Sequence, residues 1–312
     1  MQISDKCVSI ISNFSSEKDV TMDDSKISPS LLPHLNEIAK RLWSGHAAIM
    51  VGAGFSKNAV PLDDSVKGFP DWNQLGEIFY EKARGRKIGS EKFLSPLKLA
   101  DEVQASFDRP TLHKLLEDSI PNNEYEPSGL HVKLLDLPWA DVFTTNYDTL
   151  LERATKSVSD YSYQTVVNTE GLVYSKSSRI VKLHGSFPDS KPFIISEEDY
   201  RRYPIDFAPF VNTVQQALLE NTLVLIGFSG DDPNFLRWIG WIRDNLGQEN
   251  SPNIYIVGIL NLTKAQELLF LRNKIIPIDM SELDDIRPDE HYKGLDKFFE
   301  FCACKKGESD RL

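Results

Sequence analysis

The stretch Ala47-Ala48-Ile49-Met50-Val51-Gly52-Ala53-Gly54-Phe55-Ser56 decides the fold. A short apolar run suits a buried strand, and it stops abruptly at Gly-Ala-Gly with a hydroxyl two residues later. Residues without side-chain bulk allow a tight turn, and let a phosphate or ribose approach the backbone N–H groups. The third glycine of G-x-G-x-x-G is missing, because Lys57 stands in its place. Taken alone, the stretch is weak evidence for a ligand, since a bare tight turn asks for the same residues.

Outward from this turn, the chain after about residue 138 alternates short apolar runs with helical spacing. Asp141-Val142-Phe143-Thr144-Thr145, Tyr163 to Val167, Arg179 to Leu183, Thr222 to Ile226 and Ile254 to Val257 read as strands. Ile275-Ile276-Pro277-Ile278 reads as an edge strand, since proline cannot serve a central ladder. Helices are expected from Thr149, over Phe207 to Leu219 and Asn234 to Leu246, from the Thr263-x-x-Gln266 capping box, and over Tyr292 to Phe301. Ser30 is placed to cap a helix that Gly45 ends. Strands alternating with helices imply an α/β, Rossmann-like, doubly wound parallel sheet covered on both faces. Apolar residues at helical spacing between Asn73 and Asp136, with Pro110 opening one helix, imply an inserted all-helical subdomain. The expected organisation is a peripheral arm over 1–29 and one domain over 30–312. Its core comprises 30–72 and 138–312, and its insertion 73–137.

Composition narrows the function. The 312 residues are 41% hydrophobic and 26% charged, ordinary for a globular protein, with a formal net charge of −11. Acidic residues spread along the chain argue against a nucleic-acid backbone surface. The three cysteines, Cys7, Cys302 and Cys304, give neither a disulfide framework nor a zinc set, and fit a cytoplasmic setting. No run of about 18 apolar residues suggests a membrane span.

In a doubly wound sheet, ligands sit outside the carboxyl ends of the strands. That rule gathers Gly52, Gly54 and Ser56, then Asn146, Tyr147 and Asp148, then His184 and Gly185, then Gly227 to Asp232, and Asn261, at one edge.

Together with Gly68-Phe69-Pro70-Asp71-Trp72, these motifs appear in the order of the sirtuin family, which the chain resembles over roughly 47–263. The resemblance implies that NAD is the substrate, with its phosphates cradled by Gly52, Ala53, Gly54 and Ser56. It places Asp71 near the nicotinamide, Asn146 on the ribose or an attacking water, and His184 as general base. Ser229 and Asn261 would touch phosphate and adenosine ribose, and Thr145, Asp148, Gly227 and Asp231 complete the expected NAD contacts. Between His184 and Gly227 there is no cysteine, so the zinc module of the deacylases is absent, and Thr145 stands where deacylases commonly carry glutamine. The chain therefore resembles the zinc-free branch, bacterial antiphage effectors that hydrolyse NAD when a sensor or partner switches them on. For this chain the resemblance implies an NAD glycohydrolase without metal, and a homo-oligomer. It also implies a protein partner (an ATPase, nuclease or similar) that senses infection or regulates activity. An NAD-dependent deacylase and a non-catalytic NAD- or ADP-ribose-binding module are the rival readings.

Each motif also has a plainer reading. His184 fits a core histidine at a strand end, Asn146 a turn residue bonding its own backbone, and Asp231-Asp232 a cap for the helix after Pro233. Glu197-Glu198-Asp199 reads as the acidic first turn of a helix, and Trp238 and Trp241 as core or subunit contacts. His34, His46, His113, His131 and His291 show no metal spacing.

Overall fold

The computed structural model describes residues 27–89, 95–175, 178–188, 192–228, 232–247, 251–283 and 285–307. Most of the expected N-terminal arm, and the predicted site residues Ser229 and Asp231, lie outside the described residues.

The strands are β1 (Ala47–Val51), β2 (Val60–Pro61), β3 (Tyr125–Glu126), β4 (Asp141–Thr144) and β5 (Gln164–Val166). They continue with β6 (Arg179–Lys182), β7 (Thr222–Ile226), β8 (Ile254–Gly258) and β9 (Ile275–Asp279). Seven of them form one sheet in the order β5-β6-β4-β1-β7-β8-β9, while β2 and β3 pair separately. Every ladder in the large sheet is parallel. From β1 the chain passes to β4, then to β5 at the edge, inserts β6 between those two, and returns to add β7, β8 and β9 on the other side of β1. The strand order therefore reverses between β1 and β7, which makes their carboxyl ends the lips of a crevice. Pro277 sits on β9 at the sheet edge, where its missing N–H removes no ladder bond.

Strand alternation divides the core between two faces. Ala47, Ile49 and Val51 pack with the helices Leu32–Trp43, Gly129–Leu135 and His291–Cys304. Ala48 and Met50 pack with the helices Glu197–Asp206, Ala208–Glu220 and Pro233–Leu246, where Trp238 is a buried core residue. The sheet is thus covered on both sides, as its continuous apolar strands require.

Between β2 and β3 run the helices Trp72–Arg84, Pro96–Ser106 and Arg109–Ser119. Asp71 and Gln74 close a capping box at the start of the first, and Gly85, at φ 65°, ends it. These helices have their own core of Leu75, Phe79, Leu99, Val103, Leu112 and Leu116, which continues onto Tyr147, Phe187 and Phe193 of the sheet domain. Arg109 fastens the insertion down, since its guanidinium bonds both oxygens of Asp199 at 2.9 and 3.0 Å and also the Phe193 carbonyl.

One local expectation differs. Ser30 does not cap the first helix: Leu31 precedes it with helical backbone (φ −87°, ψ −39°), and no side chain caps it. The amides of Leu31 and Leu32 already donate to Ser28 O at 3.0 and 3.1 Å. The turn therefore starts earlier, and the Ser30 hydroxyl bonds Ser28 and Glu282 instead.

Candidate active site

The turns after β1 and β7 interlock. Gly52 N–H donates to Ile226 O, and Gly54 N–H to Gly227 O, each at 2.9 Å. A Cβ on Gly52 would lie 2.4 Å from Gly227 O, and one on Gly227 (φ +58°) 2.2 Å from Phe55 N. The glycines are therefore required by the contact of one turn with the other. With those two amides engaged across the junction, Ala53 and Gly54 present exposed backbone at the crevice.

Asn146 follows β4 and is held from three sides. Its backbone N–H donates to Thr144 Oγ1 at 3.1 Å, and its Nδ2 donates to Gly52 O at 3.1 Å and Ser56 Oγ at 3.0 Å. Ser56 gives its one hydroxyl proton to Asp148 Oδ2 at 2.7 Å, so its oxygen is left to accept from Asn146. That fixes which way the Asn146 amide faces. Its Oδ1 is buried and has no hydrogen-bond partner. In a residue only 8% exposed, such an acceptor is set for a donor the protein does not supply.

His184 lies just beyond β6 and is 2% exposed. The rings of Tyr200 and Tyr203 meet it edge-on, with centroids 5.2 and 5.8 Å away, and Asn234 Nδ2 lies 3.5 Å from its Nε2. Burial holds its pKa below the ordinary imidazole value, opposed by the charges of Asp232 and Asp199. The ring is therefore neutral near pH 7, the state of a proton acceptor. Tyr200 donates its hydroxyl to Asp232 Oδ2 at 2.9 Å, and Asp232 Oδ1 accepts Phe235 N–H as the cap of the following helix.

Asn146 and His184 both open into one cavity of about 700 Å³ at the β1–β7 crevice. Comparison with known proteins gives several likenesses. Residues 140–278 match the family described as SIR2-like domain. Among curated relatives, it is 29% identical over 233 residues to "NAD(+) hydrolase ThsA" of Acinetobacter baumannii (strain 532279), covering 73% of this chain and 45% of that protein. It is 28% identical over 235 residues to the protein of the same name from Enterococcus faecium, covering 72% and 45%. It is 25% identical over 219 residues to "Defense-associated sirtuin 2" of Bacillus subtilis, covering 67% and 20%. The chain thus spans less than half the length of these relatives. A solved structure described as a Sir2 homologue–NAD complex aligns with 13% identity and a TM-score of 0.46, over 86% of this chain and 93% of that one.

The cavity is lined by the predicted residues Gly52, Ala53, Gly54, Ser56, Asp71, Thr145, Asn146, Asp148, His184 and Gly227. Asn261 stands apart from it. It is exposed, holds φ 47°, and donates to Pro288 O at 3.4 Å. Asp71 reaches the cavity rim from its capping position, 3.8 Å from Lys57 Nζ.

Sequence reading missed two groups of lining residues. One is Tyr200, which lines the cavity and donates its hydroxyl to Asp232. The other is an apolar wall of Phe69, Trp72, Leu75, Leu97 and Ile120, contributed largely by the helical insertion. Among the described residues, no cluster of His, Cys, Asp and Glu could hold a metal ion, and no helix is long and apolar enough to cross a membrane.

Proposed function

We propose that this domain is an NAD glycohydrolase that cleaves NAD to nicotinamide and ADP-ribose. The observation that carries the reading is the Asn146 Oδ1 acceptor, buried, unpartnered and fixed in orientation, in the same cavity as a neutral His184. The names of the curated relatives, NAD(+) hydrolases and a defence-associated sirtuin, support the substrate and the setting. Nicotinamide on its glycosidic bond is already a cationic leaving group, so its departure asks little of an acid. The site must instead hold the ribose, stabilise an oxocarbenium-like state and deliver water to the opposite face. Asn146 is assigned to the ribose hydroxyl or the water, and His184 to its deprotonation. Gly52, Ala53, Gly54, Ser56 and Gly227 form the phosphate side. Asp71 and Thr145 lie toward the nicotinamide. The apolar wall, with Phe69 and Trp72, suits a planar ring. Residues 30–312 form this unit, with 73–137 as its insertion.

In the same reading the activity serves antiphage defence by depleting NAD in the cytoplasm. A free NAD hydrolase poisons its own cell, so activity is gated by self-assembly or by a protein partner. The test is nicotinamide release by the wild type, Asn146→Ala and His184→Ala, each alone and with the products of adjacent genes. Loss of a general base lowers turnover on the order of 10²–10⁴-fold. Full turnover in both variants would refute the assignment.

A further inference from the structure

Beneath the cavity floor lies an ion pair that the proposed chemistry does not use. Lys182, the last residue of β6, is 2% exposed in a chain of net charge −11. Its Nζ lies 2.9 Å from Glu152 Oε1 and donates to the carbonyl of Asp148. Glu152 Oε1 also accepts the Ser186 hydroxyl at 3.1 Å, and Glu152 Oε2 is buried without a hydrogen-bond partner.

The positions of these residues are informative. Lys182 and Ser186 stand two residues before and two residues after His184. Asp148 stands two residues after Asn146, and Glu152 lies on the helix that follows, Leu150–Ala154. One carboxylate oxygen thus grips both flanks of the His184 turn, and one ammonium ties that grip to the Asn146 turn. A backbone bond from Phe187 N–H to Tyr147 O, at 2.9 Å, joins the same two turns farther out. The Asp148 carboxylate receives Ser56, and Ser56 sets the Asn146 amide, so a shift at Asp148 is transmitted to Asn146 Oδ1.

We propose that Glu152 and Lys182 are positioning residues, a clamp that holds Asn146 and His184 in register. The proposal rests on the roles assigned above to those two residues. A buried ion pair is weak evidence for stability, because apolar or neutral replacements of similar volume often fold as well. The register of two reacting groups is more demanding, since a misplacement of about 1 Å costs on the order of 10²-fold in rate.

The test is the double variant Lys182→Met/Glu152→Gln, which removes both charges together and leaves no buried ion alone. It is expected to melt within about 5 °C of the wild type. Its kcat for nicotinamide release should fall about 10²-fold with KM within about threefold. Ser186→Ala keeps the ion pair and releases one flank of His184. It should lose about fivefold in kcat with an unchanged melting point. Wild-type kcat in the double variant, or a raised KM with kcat intact, overturns the clamp.

A crystal structure of the double variant reads the clamp independently of activity. Asn146 Nδ2 should leave Gly52 O and Ser56 Oγ, and retention of both bonds overturns the proposal. If the wild type released no nicotinamide, the glycohydrolase reading would fail, and this second readout would still decide the clamp.

Discussion

The floor and the helical wall of the cavity are built on opposite principles. On the floor, polar groups carried by strand ends are bonded into one network, with glycine turns so close that no Cβ fits. The wall is ring and aliphatic packing, supplied by helices with a core of their own and latched by Arg109. Hydrogen bonds fix direction, whereas apolar contacts fix volume. The floor therefore suits orientation of reacting groups, and the wall suits enclosure of a ligand.

Three perturbations test that contrast. The largest effect is expected from Gly52→Ala, whose new Cβ meets the backbone oxygen of Gly227, which cannot rotate away. It should destabilise by more than about 5 kcal/mol, beyond the usual range of point substitutions, and leave little folded protein by circular dichroism. Next, Phe79→Ala removes a fully buried ring from the wall. Urea unfolding should register a loss of about 3–5 kcal/mol. The folded fraction should keep its kcat while KM for NAD rises. A collapse of kcat there would mean that floor and wall are not separable.

The smallest effect concerns the foundation of the floor, where His131 packs its ring 4.7 Å from that of Phe55, with Nε2 buried and unpartnered. Burial, with Arg153 nearby, pushes its pKa down from 6.5 to about 3. Below pH 6.5 the unfolded chain takes up this proton and the folded chain does not. Stability is therefore complete above that pH and declines as pH falls toward 3. At pH 5 the loss from this group is about 2 kcal/mol relative to pH 7.5. His131→Gln keeps a residue suited to the capping box at this position. It should show an acid-induced loss smaller by that amount in parallel urea titrations, and equal pH slopes would count against the neutral buried histidine.

The same contrast explains what was legible in the sequence. Floor residues follow apolar strands directly, and a parallel sheet gathers all carboxyl ends at one edge, so Asn146, His184 and Gly227 could be grouped before any coordinates. The wall could not be read, because helical spacing shows that Leu75 and Leu112 are buried, but not against what. Tyr200 sits one residue after an acidic turn that reads as a solvent-facing cap, yet its ring turns inward onto His184. Lys182 ends a strand buried on both faces, where no alternation tells a buried ammonium from an exposed one. Asn261 is a polar residue after a strand that the chain carries out to the surface, which its place in the sequence does not reveal.

The interlock of Gly52 with Gly227 also has a consequence in time. The two halves of that joint are 175 positions apart (227 − 52). At synthesis rates of about 5–20 residues per second, the second half leaves the ribosome roughly ten to thirty-five seconds after the first. Until β7 docks, one edge of β1 is unpaired and the crevice has a single lip. A nascent or truncated chain that already contains Asn146 and His184 therefore has nowhere to seat a ligand.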